Sequence, residues 1–197
     1  MIGKITLQSI LQTLVWTVVC GVLYPLCMTG LFQVLFPYQA NGSLVHVGDK
    51  LVGSEWMAQQ FTGDKYFWPR PSACTYGSSP SGLVASGGSN LGPTSAQLQT
   101  NVNANAKTLR TEGRLPDNAP VPADLVFASA RGVDPEISPE AARFQIARVA
   151  SARGVGADQV SALVEQYVKP RQWGFLGEAR VNVLMLNLAL DAALPKK

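Results

Sequence analysis

The feature that most constrains this chain is a long run without charge: from Ile5 to Gly48 there is no Asp, Glu, Lys or Arg. Within it, Ile10 to Phe36 is rich in Leu, Val, Ile, Phe and Trp. About 20 apolar residues cross a ~30 Å hydrocarbon core as a helix, so the run can span one with tilt to spare. It predicts a transmembrane helix over residues 7–36. A cleaved secretory signal has the same general form, but its apolar stretch is typically only about 7–15 residues and ends at a small-x-small site. Here the run is longer, Tyr38 stands in the wrong place before Ala40, and no small residues precede Cys20 or Cys27 as lipid-anchored processing requires. The sequence therefore favours a retained single span.

Lys4 and the terminal amine lie on one side of this span, and the next basic residue is Lys50. The excess of positive charge marks the cytoplasmic side. Residues 1–6 are expected in the cytoplasm and residues 37–197 outside it, in the periplasm of a bacterium. Pro25 interrupts the run, and a proline there removes a backbone hydrogen bond and usually kinks a helix. Gly21 and Gly30, with Thr13, Thr17 and Thr29, would let another helix approach closely, so Gly21, Pro25 and Gly30 are candidates for helix packing.

The rest of the chain is long enough for one domain with one core. Cys20 and Cys27 fall in the membrane segment and Cys74 stands alone outside, which excludes a disulfide between extracytoplasmic cysteines. A net charge of +3 with no basic run beyond Lys196 and Lys197 argues against nucleic acid as a partner.

"NGSLVHVGDKLVGSEW" reads as two short β segments around the turn pair Gly48-Asp49. Phe61 to Gly92 is dense in Gly, Ser, Pro and aromatic residues and predicts a long irregular surface. A helix is expected to open at Pro93, with Leu98, Val102, Ala106 and Leu109 on one stripe. "RTEGRLPDNAPVP" ends it, a short helical turn follows from Pro122, and Ser138-Pro139 starts a helix carrying Ala142, Ile146 and Val149. Gly154 and Gly156 break that helix before Val160, Leu163, Val164 and Tyr167 mark the next one. "RVNVLMLNLAL" fits a buried strand or a helix capped by Asn182, and the helix is preferred. The whole predicts an α+β chain: one membrane helix, then one extracytoplasmic domain with a small β element and several helices.

Few residues invite chemistry. His46 is the sole histidine, which leaves no His-based metal site and no Ser-His-Asp triad. Its expected place is in a strand. Asp134 and Glu136 flank Pro135, a spacing typical of a turn rather than of an acid/base pair. "SGGSNLGPTS" overlays a phosphate-binding loop at Gly87, Gly92 and Thr94, but Pro93 stands where the lysine belongs and removes one N–H as well. Gly87, Gly88, Ser89, Asn90 and Gly92 are therefore expected to serve as a glycine-rich helix start, with Ser89 and Asn90 as caps or partner contacts. "YFWPRPSA" places Tyr66, Phe67, Trp68 and Arg70 together, either as interface anchors or as a staple onto the core, with Tyr66 or Trp68 able to stack on the guanidinium.

Long motifs in a fixed order carry a family resemblance: "FPYQANGSL", "VGSEW", "QQFTGDKYFWPRPSA", "ASGGSNLGPTS", "VPADLVFASARGVDPEISPEAA", "RVASARG" and "VNVLMLNLALD". Together with the single N-terminal span they resemble the C subunit of the bacterial Kdp potassium-transporting ATPase, over nearly the whole chain. Arg131 and Cys74 depart from the pattern. The resemblance implies a non-catalytic inner-membrane subunit needed for assembly. Its partners would be a channel-like potassium subunit, a P-type ATPase subunit and a small single-span subunit. It also implies a catalytic-chaperone role that raises the pump subunit's ATP affinity. ATP and potassium would belong to the complex, with no cofactor held by this chain. The alternative is a free-standing, membrane-anchored periplasmic binding or sensor module.

Overall fold

The uncharged run satisfies its backbone along its own axis, and the continuous helical rod that results covers residues 2–35, starting before the expected residue 7 and taking in Lys4. The computed structural model describes residues 2–73, 86–113 and 115–194. The rod comprises α1 (Ile2–Val18), a π-helical turn (Val19–Leu23) and α2 (Tyr24–Leu35). It is the one helix among the described residues long and apolar enough to cross a membrane, and none of that apolar stretch is buried.

The π turn explains how Pro25 is tolerated. Proline offers no N–H to the carbonyl one turn back, and its ring crowds that carbonyl. The preceding turn widens so that the N–H of Tyr24 donates to the carbonyl of Val19, five residues earlier, and Pro25 sits in the first turn of α2. The expected interruption is therefore an inserted residue rather than a break. Gly21 lies in that π turn and Gly30 on α2, each with open space where a Cβ would stand. Thr13 and Thr17 turn their hydroxyls back to the carbonyls of Ser9 and Thr13.

The chain divides into two units, Met1–Val52 and Gly53–Lys197. The first continues past the rod through a short helical turn, α3 (Pro37–Ala40), into β1 (Leu44–Val47), paired with β2 (Lys50–Ser54). Gly48 takes φ +59° at the turn, which a glycine adopts without a steric penalty. His46 occupies an exposed position in β1.

The second unit is helical around a small sheet. Its elements are α4 (Ala96–Gly113), α5 (Ala123–Val126), β3 (Glu136–Ile137), α6 (Pro139–Arg153), α7 (Ala157–Tyr167), β4 (Val168–Lys169), β5 (Arg180–Asn182) and α8 (Val183–Ala193). The three strands form an antiparallel sheet in the order β3-β5-β4, with Ile137 and Val168 both opposite Val181. The core gathers Leu109 of α4, Leu125 of α5, Val149 of α6, Val160 and Val164 of α7, and Leu186 and Leu190 of α8. Each such side chain contributes about 1.5–3 kcal/mol on leaving water.

Local signals set most boundaries. Ser138 accepts from the N–H of Ala141 at 3.0 Å and Pro139 follows at the first helical position, so α6 starts where expected. Gly154 ends it at φ +68°. The last apolar run uses both readings in sequence: Arg180–Asn182 pair as β5, then Asn182 caps α8 by accepting from the N–H of Met185. One expectation is corrected. Helix α4 opens at Ala96, not at Pro93. Gly92 to Ser95 close a turn, with the N–H of Ser95 donating to Gly92 at 3.0 Å, and Ser95 Oγ accepts from Leu98 N–H at 3.4 Å. Ser95 is thus the cap, and Ser89 and Asn90 are not, because a turn separates them from the helix.

Candidate functional site

The aromatic segment after β2 turns at Gly63–Tyr66 and then lies against residues of α6 and α8, whose side-chain amides hold it there. Phe67 is fully buried; its N–H donates to Asn187 Oδ1 at 2.8 Å and its carbonyl accepts from Asn187 Nδ2 at 2.9 Å. Trp68 is held the same way by Gln145, at 2.8 and 3.2 Å. Asn187 and Gln145 are themselves buried. Each amide gives the segment one donor and one acceptor, so it does the work of a neighbouring strand, and among the described residues no strand pairs with this segment.

Two arginines complete the clamp. Arg148 donates to the carbonyls of Asp64 and Tyr66 at 2.8 and 3.0 Å, and its guanidinium lies 3.9 Å from the centre of a Trp68 ring. Burial pulls its pKa down to about 10, partly offset by the carboxylates of Asp64 and Glu112. The Arg153 side chain is fully buried; it donates to Lys65 O at 2.7 Å, to Leu194 O at 2.8 Å and to Asp191 Oδ1 at 2.7 Å. It thereby places a cation at the C-terminus of α8, where the helix carbonyls are unsatisfied. Tyr66 closes the circuit by donating its hydroxyl to Asp191 Oδ2 at 2.9 Å, beneath the same guanidinium.

The guanidiniums that face Trp68 and Tyr66 are therefore those of Arg148 and Arg153, not of Arg70. Arg70 turns away to Asp134, with Nη1 3.0 Å from Oδ2. Glu136 is engaged by Arg180 at 2.9 Å. The two carboxylates flanking Pro135 are each neutralised by their own arginine, an arrangement suited to fixing a turn rather than to moving protons.

A cleft of about 380 Å³ opens beside the clamp, lined by Phe61, Trp68, Arg70, Asn105 and Glu112 among others. Burial, with the charge of Asp64, raises the Glu112 pKa above the usual carboxylate range. No group of three or more His, Cys, Asp or Glu able to hold a metal occurs among the described residues.

The glycine-rich stretch lies against the loop that precedes β3. Gly87 N–H donates to Arg131 O at 2.9 Å, and Ser86 Oγ donates to the same carbonyl at 3.1 Å. A Cβ at Gly88 would stand 2.6 Å from the carbonyl oxygen of Ala130, closer than real Cβ contacts come, so the backbone approach itself requires glycine. Gly92 differs: a Cβ there meets nothing within 4 Å. Asn90 takes φ +53°, and Ser89 lines a smaller cleft of about 220 Å³ with Leu98 and Val126. Cys74 and the remainder of the stretch up to residue 85 lie outside the described residues.

Sequence reasoning found the aromatic segment but missed Gln145, Arg148, Arg153 and Asn187, which position it. Asn187 carried a signal, being an amide inside "VLMLNLAL". A polar group in so apolar a helix is retained where it has a buried partner.

The chain is thus of the class that joins one apolar helix, long enough to cross a membrane, to a small α+β domain whose conspicuous aromatic and charged groups fasten its own backbone. The family model described as "K+-transporting ATPase, c chain" matches residues 6–192. The chain is 48% identical over 197 residues to a potassium-transporting ATPase KdpC subunit of Rhodopseudomonas palustris strain TIE-1, covering 95% of this chain and 96% of that one. It is 50% identical over 185 residues to the protein of that name from Allorhizobium ampelinum, covering 94% of each chain. It is 52% identical over 179 residues to the one from Rhodospirillum rubrum, covering 91% of each. This chain belongs to the KdpC family.

Proposed function

We propose that the chain is a non-catalytic subunit of an ATP-driven potassium uptake pump, held in the bacterial inner membrane by residues 7–36, with residues 1–6 in the cytoplasm and residues 37–197 in the periplasm. The observation that carries the reading is the family match along nearly the full chain, from residue 6 to residue 192. Lys4 on one side of the uncharged run supports the orientation. Its partners are a channel-like potassium subunit, a P-type ATPase subunit and a small single-span subunit. ATP and potassium are handled by those partners.

Assembly is the primary role. Any increase in the ATP affinity of the pump subunit is exerted through conformational coupling, because in this topology the domain and a cytoplasmic nucleotide site lie on opposite faces of the membrane. The Pro93 position in the glycine-rich loop supports the same view, since the charge and N–H of a phosphate loop are both missing there.

Affinity purification through a tag on this chain tests the reading: the pump and channel subunits should accompany it. Protease added to spheroplasts should digest the chain beyond Pro37 and spare the N-terminus. A tagged chain that purifies alone, or one digested only after lysis, would refute the corresponding half.

A further inference from the structure

The segment between β4 and β5 ends in an aromatic turn that the fold does not use. Trp173 is 84% exposed and Phe175 is 69% exposed, with their rings 6.5 Å apart and tilted by 38°. Leu176 beside them is 42% exposed. The turn is nevertheless well braced: Gln172 and Leu176 exchange backbone hydrogen bonds at 2.9 Å, Phe175 N–H donates to Gln172 O at 3.2 Å, and Arg171 pairs with Glu178 below. Trp173 takes φ +52° and Gly174 φ +82°. A bulky residue in the left-handed region is unfavourable, and such strain persists where the surroundings enforce it, most often at functional positions. The fold holds two large rings in water on a rigid support, which is the form of an interface anchor.

Charge around the turn distinguishes the classes of partner. Beside it lies a concavity of about 730 Å³ whose walls include Trp56, Leu176 and the carboxylates of Asp124, Asp134, Glu136, Glu140 and Glu178, against the arginines Arg70 and Arg180. Asp134 and Glu136 are matched by those two arginines, and Glu178 by Arg171. The basic residues beside the rings, Lys169 and Arg171, are taken up by Glu55 and Glu178, whereas Asp124, which accepts from Ser138 N–H, and Glu140 form no ion pair among the described residues, so the unmatched charge behind the rings is negative. Bacterial lipid surfaces are anionic and bind aromatic anchors flanked by Lys and Arg. An acidic flank opposes them and favours a protein surface with basic groups.

We propose that the Gln172–Leu176 turn is a docking peg for another protein subunit, with Trp173 and Phe175 entering an apolar pocket whose basic rim meets Asp124 and Glu140. The inference rests on the reading that this chain works inside a multi-subunit pump, and deepens it by naming the surface and the chemistry of its counterpart.

The test uses the full chain in the assembled complex. A photoreactive phenylalanine analogue in place of Trp173 should crosslink to another subunit of the assembly. The double variant Trp173→Ala/Phe175→Ala should keep the wild-type urea midpoint as an isolated chain yet dissociate from the complex at least about tenfold faster on dilution in detergent, the loss expected of an aromatic anchor. Trp173→Phe should restore most of the lifetime, and Glu140→Lys should shorten it. Crosslinks confined to lipid, to a second copy of this chain, or to nothing would overturn the peg. So would unchanged dissociation of the double variant, whereas wild-type co-purification would leave the pump reading standing. A wild-type chain that brings no other subunit with it would overturn both.

Discussion

Two aromatic stretches of this chain look alike as sequence and differ in fate. Tyr66-Phe67-Trp68 and Trp173-Gly174-Phe175 each carry large rings near an arginine and a glycine-rich or proline-rich flank. The first is folded inward: Phe67 is fully buried and its neighbours lie under Arg148 and Arg153. The second stands in solvent. The difference does not come from the rings, whose gain on leaving water is similar. It comes from the backbone that must be buried with them. Asn187 and Gln145 satisfy the N–H and C=O groups of Phe67 and Trp68, which would each cost about 1–3 kcal/mol if buried without a partner. The Trp173 turn satisfies its own backbone locally and needs no clamp.

The comparison can be broken most sharply at the clamp. Arg153→Ala should cost about 3 kcal/mol, because it strands the Lys65 and Leu194 carbonyls and removes the cation beside Asp191; urea unfolding of the detergent-solubilised chain measures it. A loss under about 1 kcal/mol would mean that the guanidinium is replaceable by water. Asn187→Ala should cost about 2 kcal/mol by the same assay, and Gln145→Ala about as much. Because each holds a separate residue of one segment, the double variant should fall short of the sum. Strict additivity would show that the two amides do not act on a shared segment.

Gly88→Ala should lower stability by about 1–2 kcal/mol, since the new methyl meets Ala130 O at 2.6 Å, while Gly92→Ala should stay within about 0.5 kcal/mol. Equal effects at both positions would contradict the close approach that separates them. On the other side of the comparison, Trp173→Ala should leave the unfolding midpoint within about 0.5 kcal/mol of wild type, because the ring touches little of its own chain.

The smallest expected effect is electrostatic. The Glu112 pKa is raised on folding, so its contribution favours the folded state at low pH and is lost as pH rises through the folded value. Relative to wild type, Glu112→Gln should therefore gain slightly in stability as pH moves from about 4 to about 7, by less than about 0.5 kcal/mol for so exposed a side chain. A wild-type advantage that grows with pH would reverse the sign and point to a net attraction from Arg148.

What the sequence determined by itself was whatever depends on neighbours along the chain. An uncharged run makes its own hydrogen bonds, so a helix over residues 7–36 with a disturbance at Pro25 was legible; the helix that forms runs from Ile2 to Leu35 and takes in Lys4 as well. Ser138-Pro139, Gly154 and Asn182 act within one turn of themselves, and they set the ends of α6 and α8 as their types require. Pro93 misled because proline serves equally at a helix start and inside a tight turn; the choice fell to Ser95, which could bond Leu98 only after the Gly92–Ser95 turn was in place. The tertiary structure alone decided what depends on distance. Which guanidinium lies over Trp68, which carboxylate belongs to which arginine, and which glycine meets a carbonyl were not legible, because the partners are separated by tens of residues in sequence. Asn187 reaches Phe67 across 120 residues, and Gln145 reaches Trp68 across 77. A side-chain amide in a helix has no periodicity that announces its partner. Only the fold, in which α7 packs against both α6 and α8, brings both amides to one segment and leaves the ring pair at Trp173 and Phe175 outside.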